Sequence, residues 1–351
     1  MFPIVEVKGT PYECGWQHGK TVSELIQKNI EAYLRLFEFH ANLDPVAAKR
    51  KAEKYISVVE NFDVNFISEM QGIADGAGVS LCEIMMLNAR TELLSATPLH
   101  ECTSIAVLPP ASTLSHTWLA QNWDWLHFTK GKTVLLKIAQ VNKPEITMVI
   151  EAGQIGKMGF NDTGLGLCHN ALQIDYHSIG IPFIILCRMI LNSYQLSDAI
   201  QTLCVSKRAA SGNYLIAHKD GFAIDVEVTP DDVDFFEPTN NILIHSNHFL
   251  SPRFRAFDHG LKSGGWDSLV RRQRAQTILE LDYGSINLMS IIKVQRDLGC
   301  GTSSICVSHN EDAPELARWS TLAGIIMNLS SMEMYIAPGK PSETEYIKIT
   351  R

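Results

Sequence analysis

The chain has 351 residues, 46% of them hydrophobic and 19% charged, the balance of a folded chain with a sizeable buried core, which excludes a disordered or fibrous protein. Thirty Lys plus Arg stand against 38 Asp plus Glu, for a formal charge of −8, and no local basic cluster offsets it, so nucleic acid is excluded as an expected partner. Met1 to Lys8 lack the basic flank and apolar stretch of a secretory signal. The apolar run 181–191 is broken by Pro182 and Arg188, too short to cross a bilayer, so no membrane partner is expected and the localisation read from the sequence is cytoplasmic. Eight scattered cysteines without a Cys-x-x-Cys pair read as reduced thiols in a chain large enough to fold without staples.

The first hundred residues read as mostly helical. Val22, Leu25, Ile26, Ile30, Tyr33, Leu34 and Phe37 repeat at the spacing of one helix face. A second helix is predicted after Asp44 as N-cap with Pro45 at its first position, turning Tyr55, Ile56, Val59 and Phe62 inward. A third begins at Ser80, where Ser80 and Glu83 form a capping-box pattern ahead of residues 84–94. After Thr97-Pro98 the texture changes to short β-branched and aromatic runs at 104–108, 117–123, 133–139 and 146–150, which read as strands. Residues 159–168, rich in Gly and Asn, read as a connection between two further strands. A helical pair is expected at 182–192 and 196–206. Strands at 214–217 and 222–228 flank the turn signal Asp220-Gly221. A strand at 242–245, a basic-faced helix at 268–281 and strands at 322–328 and 332–337 complete the chain. Blocks of helices and strands without regular βαβ units indicate an α+β fold. With no hinge-like linker and no repeat, residues 1–351 read as a single domain whose helical third packs on the rest.

Phosphate-binding, zincin and nucleophile-elbow motifs are absent. His245 and His248 follow a strand without an evident third ligand, so no metal site is read. The informative junction is His100-Glu101-Cys102-Thr103-Ser104, where a cysteine opens a strand directly after the helical third. Gln121-Asn122-Trp123-Asp124-Trp125 places a carboxylate between two tryptophans at the end of the next strand; if the two strands pair, Cys102 and Asp124 share one end of a sheet. By residue chemistry alone, Cys102 suits a buried small hydrophobe as well as a nucleophile, and Asp124 a turn or cap as well as a catalytic carboxylate. His100, His169 and His245 could each serve a thiol as base, which keeps a Cys-His hydrolase open.

Taken together, Gly9-Thr10-Pro11-Tyr12-Glu13, Gly15-x-Gln17-His18-Gly19, Cys102-Thr103-Ser104, Gln121-Asn122-Trp123-Asp124, Gly156-Lys157-x-Gly159-Phe160-Asn161, Asn170-Ala171-Leu172, His245-Ser246-Asn247-His248, Ser304-Ile305-Cys306, Arg318-x-x-Thr321-Leu322 and Pro338-Gly339-Lys340-Pro341 resemble the acyl-coenzyme A:6-aminopenicillanic acid acyltransferase (isopenicillin N acyltransferase) family of self-processing N-terminal-nucleophile enzymes. The resemblance spans nearly the whole chain. It implies a four-layer αββα fold and a precursor that cuts its own Glu101-Cys102 bond, leaving an α chain of residues 1–101 and a β chain of residues 102–351 associated as a heterodimer. It also implies Cys102 as nucleophile, Asp124 as catalytic aspartate, Asn247 as support for the oxyanion and Arg318 as a catalytic-site arginine. Asn170, Trp123 and Trp125 are read as substrate-binding, Asn161 as shaping a turn beside the pocket and His248 as structural support.

The activity so implied is amide cleavage through a Cys102 thioester, with the acyl group passed to water or an amine. No cofactor is implied, and a coenzyme A thioester would be a co-substrate. Two positions depart from the penicillin-forming member: Glu101 replaces a glycine, and Ala317 replaces a serine linked with acyl-coenzyme A use. They motivate the alternative of an unprocessed, inactive relative that acts as a binding protein.

Overall fold

The computed structural model describes residues 1–94, 102–175, 178–301 and 304–349. It opens with a strand, β1 (Ile4–Gly9), and the helices α1 (Pro11–Thr21), α2 (Ser23–Ala41), α3 (Pro45–Phe62), α4 (Val64–Ala77), α5 (Leu81–Asn88) and α6 (Arg90–Leu93). Local chemistry sets their ends. Asp44 Oδ1 accepts the Ala47 N–H at 2.8 Å with Pro45 at the first helical position, and Ser80 and Glu83 form a reciprocal capping box, each satisfying N–H groups a helix start leaves free. Tyr55 and Val59 are buried as read, but Phe62 at the end of α3 is exposed. The mostly helical reading of this third holds but does not include β1, whose partner lies far along the chain.

The strands β2 (Cys102–Val107), β3 (Trp118–Leu126), β4 (Thr133–Gln140), β5 (Ile146–Glu151), β6 (Met158–Asn161) and β7 (Leu165–Ala171) follow, then α7 (Phe183–Leu191) and α8 (Leu196–Val205). The expected connection at 159–168 is therefore mostly strand, with its turn confined to the residues between β6 and β7. Beyond come β8 (Gly212–His218), β9 (Phe222–Val228), β10 (Val233–Phe236), β11 (Ile242–His245), α9 (His259–Lys262), α10 (Asp267–Glu280), α11 (Leu288–Gln295), β12 (Trp319–Asn328), β13 (Glu333–Ala337) and β14 (Ile347–Ile349).

Two sheets form, in the orders β1-β4-β5-β6-β7-β8-β9-β10 and β11-β2-β3-β12-β13-β14. Their ladders are antiparallel except for β1 against β4. The sheets face each other through β2 and β3 on β7, and β2 on β8. Helices α1, α7 and α8 cover the eight-stranded sheet, and α10 and α11 cover the six-stranded one. This is the αββα arrangement of N-terminal-nucleophile hydrolases. Strands such as β3, buried along their whole length, are sandwiched on both faces, so they read as runs rather than alternations.

Two buried ionic groups fasten the helical third to the sheets. Arg188 of α7 makes a two-pronged contact with Glu69 of α4, both bonds 3.0 Å. Glu151, at the end of β5, is bonded by Arg90 Nε (2.8 Å), Lys157 Nζ (2.9 Å), Gln154 Nε2 (3.0 Å) and the Tyr33 hydroxyl. Burial alone would raise the Glu151 pKa, but Arg90 and Lys157 win and hold it at about 2.

Candidate active site

Strand β2 starts at Cys102 and pairs with β3 in a register that sets Cys102 opposite Trp123. The thiol Sγ lies 3.8 Å from the Asp124 carbonyl oxygen, so the two residues do share a sheet end. On the other side of β3, β12 carries an irregularity between Thr321 and Ala323. It presents Thr321, whose hydroxyl donates to Asp124 Oδ1. Asp124 Oδ2 is buried and has no hydrogen-bond partner among the described residues.

Asn247 follows β11, which pairs with the opposite edge of β2. Its Oδ1 accepts the Cys102 N–H at 2.7 Å, and its Nδ2 donates to the Ala171 carbonyl at 3.0 Å. The loop is pinned from α10, where the Ser268 hydroxyl accepts the Asn247 N–H at 2.7 Å and meets His248 Nδ1 at 2.7 Å.

Arg271, also on α10 and fully buried, was not anticipated. It donates to the Cys102 carbonyl (2.7 Å), the Thr103 hydroxyl (3.0 Å) and Asn247 Oδ1 (3.0 Å), while Asp267 holds its Nε at 2.9 Å. In the sequence it sits among Arg272 and Arg274 on a helix that reads as a solvated basic face. The i,i+4 spacing from Asp267 was its only local signal.

Burial, with the charge of Asp124 adding to it, pushes the Cys102 thiol up to about 12. Burial likewise raises Asp124 to about 7 against the opposing pull of Thr321 and Arg271. The thiol therefore needs a base before it can attack.

Trp123 and Trp125 line a narrow cleft with Cys102, together with Arg90, Thr91, His169, Ala171, Phe183 and Trp319. Asn170 lies beside the cleft, its Oδ1 accepting the Ser104 hydroxyl at 2.7 Å. Asn161 bonds the carbonyls of Leu191 and Ser193 and the turn after β6. His245 is occupied by Glu227 at 2.8 Å and the Ser246 carbonyl at 2.7 Å, whereas His169, held neutral by burial, borders the cleft.

Arg318 stands apart from the Cys102 cluster. Its guanidinium bonds the Ala313 carbonyl (2.9 Å) and Glu311 carbonyl (2.7 Å) and pairs with the Glu311 carboxylate at 3.2 Å. Glu101 and His100 lie outside the described residues.

The model of the acyl-coenzyme A:6-aminopenicillanic acid acyl-transferase family matches residues 112–343, a span that takes in Asp124, Asn247, Arg271 and Arg318 and begins just past Cys102. The chain belongs to this acyl-transferase family. Its αββα fold is the one that membership implies. A similar curated relative is the 40 kDa form of acyl-coenzyme A:6-aminopenicillanic-acid-acyltransferase from Emericella nidulans, 28% identical over 97% of this chain and 94% of the relative. Among solved structures, a mutant conjugated bile acid hydrolase from Clostridium perfringens aligns with a TM-score of 0.49 at 12% identity, covering 72% of this chain and 97% of its own. Penicillin V acylase from Agrobacterium tumefaciens aligns with a TM-score of 0.47 at 13% identity, covering 68% and 83%.

Proposed function

We propose that this family member is a self-processing cysteine amidohydrolase/acyltransferase, cut before Cys102, that cleaves a small amide through a Cys102 thioester and passes the acyl group to water or an amine. The observation that carries this reading is the Cys102 N–H bonded to Asn247 beside a buried Asp124 with one oxygen to spare. That is the surrounding a newly freed α-amine would need.

In processing, Sγ attacks the Glu101 carbonyl carbon and the C–N bond breaks as the nitrogen takes the thiol proton. Water then hydrolyses the thioester, releasing the Glu101 carboxylate and the thiol and leaving the amine freed in the first step as the new N-terminus. That amine titrates near ~7.7 to 8.0 and, neutral, removes the proton from its own thiol. In turnover the thiolate attacks the substrate carbonyl, Asn247 Nδ2 is the donor offered to the oxyanion, and the α-ammonium returns its proton to the leaving amine. Asp124 Oδ2 accepts from the α-ammonium and keeps it aligned. Which acceptor takes the acyl group depends on how far the narrow cleft excludes water.

Residues 1–101 and 102–351 stay associated as a heterodimer, since Glu151 and Arg188 bind across the cut. Eight free thiols suit a reducing compartment such as the cytoplasm, and among the described residues no helix is long and apolar enough to cross a membrane.

The test is intact-mass spectrometry of denatured wild type beside Cys102→Ala. Wild type split before Cys102 with the variant whole supports the reading. An intact wild type removes the α-amine and leaves a binding protein as the better account.

A further inference from the structure

The cleft that holds Cys102 carries a cation whose hydrogen-bonding capacity is only partly used. Arg90, at the start of α6, is 3% exposed and lines this cleft. Its Nε is taken by Glu151 at 2.8 Å, while Nη1 and Nη2 make no hydrogen bond to a described residue. The guanidinium lies 3.7 Å from the Trp125 ring centroid. Stacking of this kind fixes the plane of the group and leaves its N–H edge free for in-plane acceptors.

Glu151 cannot absorb the rest of that capacity. Both its oxygens are already engaged, by Tyr33 on one and by Arg90, Lys157 and Gln154 on the other. Glu151 is shared between Arg90 and Lys157, and burial lowers the Lys157 ammonium to about 7, so Arg90 is the lasting cation on this cleft. A buried guanidinium gains from an acceptor at each of its N–H groups. His169 adds a second group in the same cleft, because its Nε2 is buried without a partner among the described residues. Apart from Thr91, Cys102 and Ala171, the remaining walls are Trp123, Trp125, Phe183 and Trp319, and no carboxylate lines the cleft.

Resting on the reaction proposed above, we infer that the substrate carries a carboxylate, received by the Nη edge of Arg90 with His169 beside it, while its amide lies at Cys102. A planar carboxylate matches a guanidinium fork through two parallel bonds. The carboxylate belongs either to the acyl arm, as in the monoamide of a short dicarboxylic acid, or to the amine, as in an N-acyl amino acid. Arg90 precedes the proposed cut and Cys102 follows it, so the subsite is completed by both fragments.

Binding is tested by calorimetry on purified wild-type protein with glutarate, valerate and the neutral pentanamide, none of which needs to react. Glutarate and valerate should bind at least ten-fold more tightly than pentanamide. Arg90→Lys, which keeps the charge but not the fork, should erase most of that preference. Equal binding of valerate and pentanamide to wild type overturns the inference even if no Arg90 variant folds, and so does an unchanged preference in Arg90→Lys.

Turnover separates the two sources. Glutaryl p-nitroanilide favoured over butyryl p-nitroanilide assigns the carboxylate to the acyl arm. N-butyrylglycine favoured over N-butyrylmethylamine assigns it to the amine. Selective carboxylate binding without cleavage of any amide would sustain the Arg90 subsite and sink the proposed reaction instead.

Discussion

A thiol held near 12 has a thiolate fraction of roughly one in 10⁵ at pH 7, so the residues around Cys102 matter through what they do to its proton and its carbonyl. Arg271 touches both the Cys102 carbonyl and Asn247 Oδ1, and therefore acts by positioning rather than by meeting substrate. Arg271→Met should slow self-cleavage and lower kcat by 10-fold or more with KM little changed, and Arg271→Lys should recover part of it. A loss confined to stability, with kcat per folded molecule intact, would make Arg271 a structural residue only. Asp124 offers a separate check through pH. Its folded pKa, raised by burial to about 7 from 3.8, means the native state keeps this proton where the unfolded chain has lost it. Its contribution to stability is therefore whole below about pH 4 and is lost as pH rises toward 7. In a Cys102→Ala background, kept whole by the missing nucleophile, adding Asp124→Asn should raise the urea midpoint increasingly from pH 4.5 to pH 7.5. A difference that stays constant over that range would show Asp124 to be unshifted.

At the level of elements, the Gly15-x-Gln17-His18-Gly19 stretch has a packing explanation. Helices α1 and α4 approach so closely that a Cβ on Gly19 would stand 2.2 Å from the Ile73 carbonyl oxygen, and one on Gly76 would stand 2.3 Å from the Trp16 carbonyl oxygen. The obstacle is backbone, which cannot rotate away, so Gly76→Ala should cost ~1 to 3 kcal/mol through helix separation. Thermal or urea unfolding measures it; a midpoint equal to wild type would mean the helices part freely. Most of the helical third is legible because Asp44-Pro45 and Ser80/Glu83 announce helix starts locally, and β8 and β9 because Asp220-Gly221 marks their turn. What escapes is settled at long range. Strand β1 exists because β4, more than a hundred residues on, pairs with it in parallel. The site divides in the same way. Cys102 and Asp124 come together because a β2–β3 hairpin is a near-neighbour event. Arg271 reaches the Cys102 carbonyl, and Arg90 the cleft, from helices whose sequence does not mark them as part of the site.

For the molecule as a whole, the decisive question is what keeps the helical third in place once the chain is cut. Asn29 Nδ2 donates to the Ala152 carbonyl at 2.9 Å, Asn88 Nδ2 donates to the Gly153 carbonyl at 2.9 Å, and the Gly153 N–H donates to His18 Nε2 at 3.3 Å. These bonds converge on the segment just after Glu151, so that carboxylate is the centre of a polar seam between residues 1–94 and the eight-stranded sheet. Removing it leaves Arg90 and Lys157 buried without their shared anion, a change expected to cost ~3 to 5 kcal/mol. The same change frees the Arg90 Nε to compete for whatever anion enters the cleft. Glu151→Gln should therefore yield fragments that separate at lower urea than wild type on size-exclusion chromatography, together with a stronger preference for a carboxylate ligand over its amide. Fragments that co-elute to the wild-type urea concentration would place the cohesion in the apolar contacts of α2, α4 and α5 alone, and the ionic seam would then serve the cleft rather than the assembly.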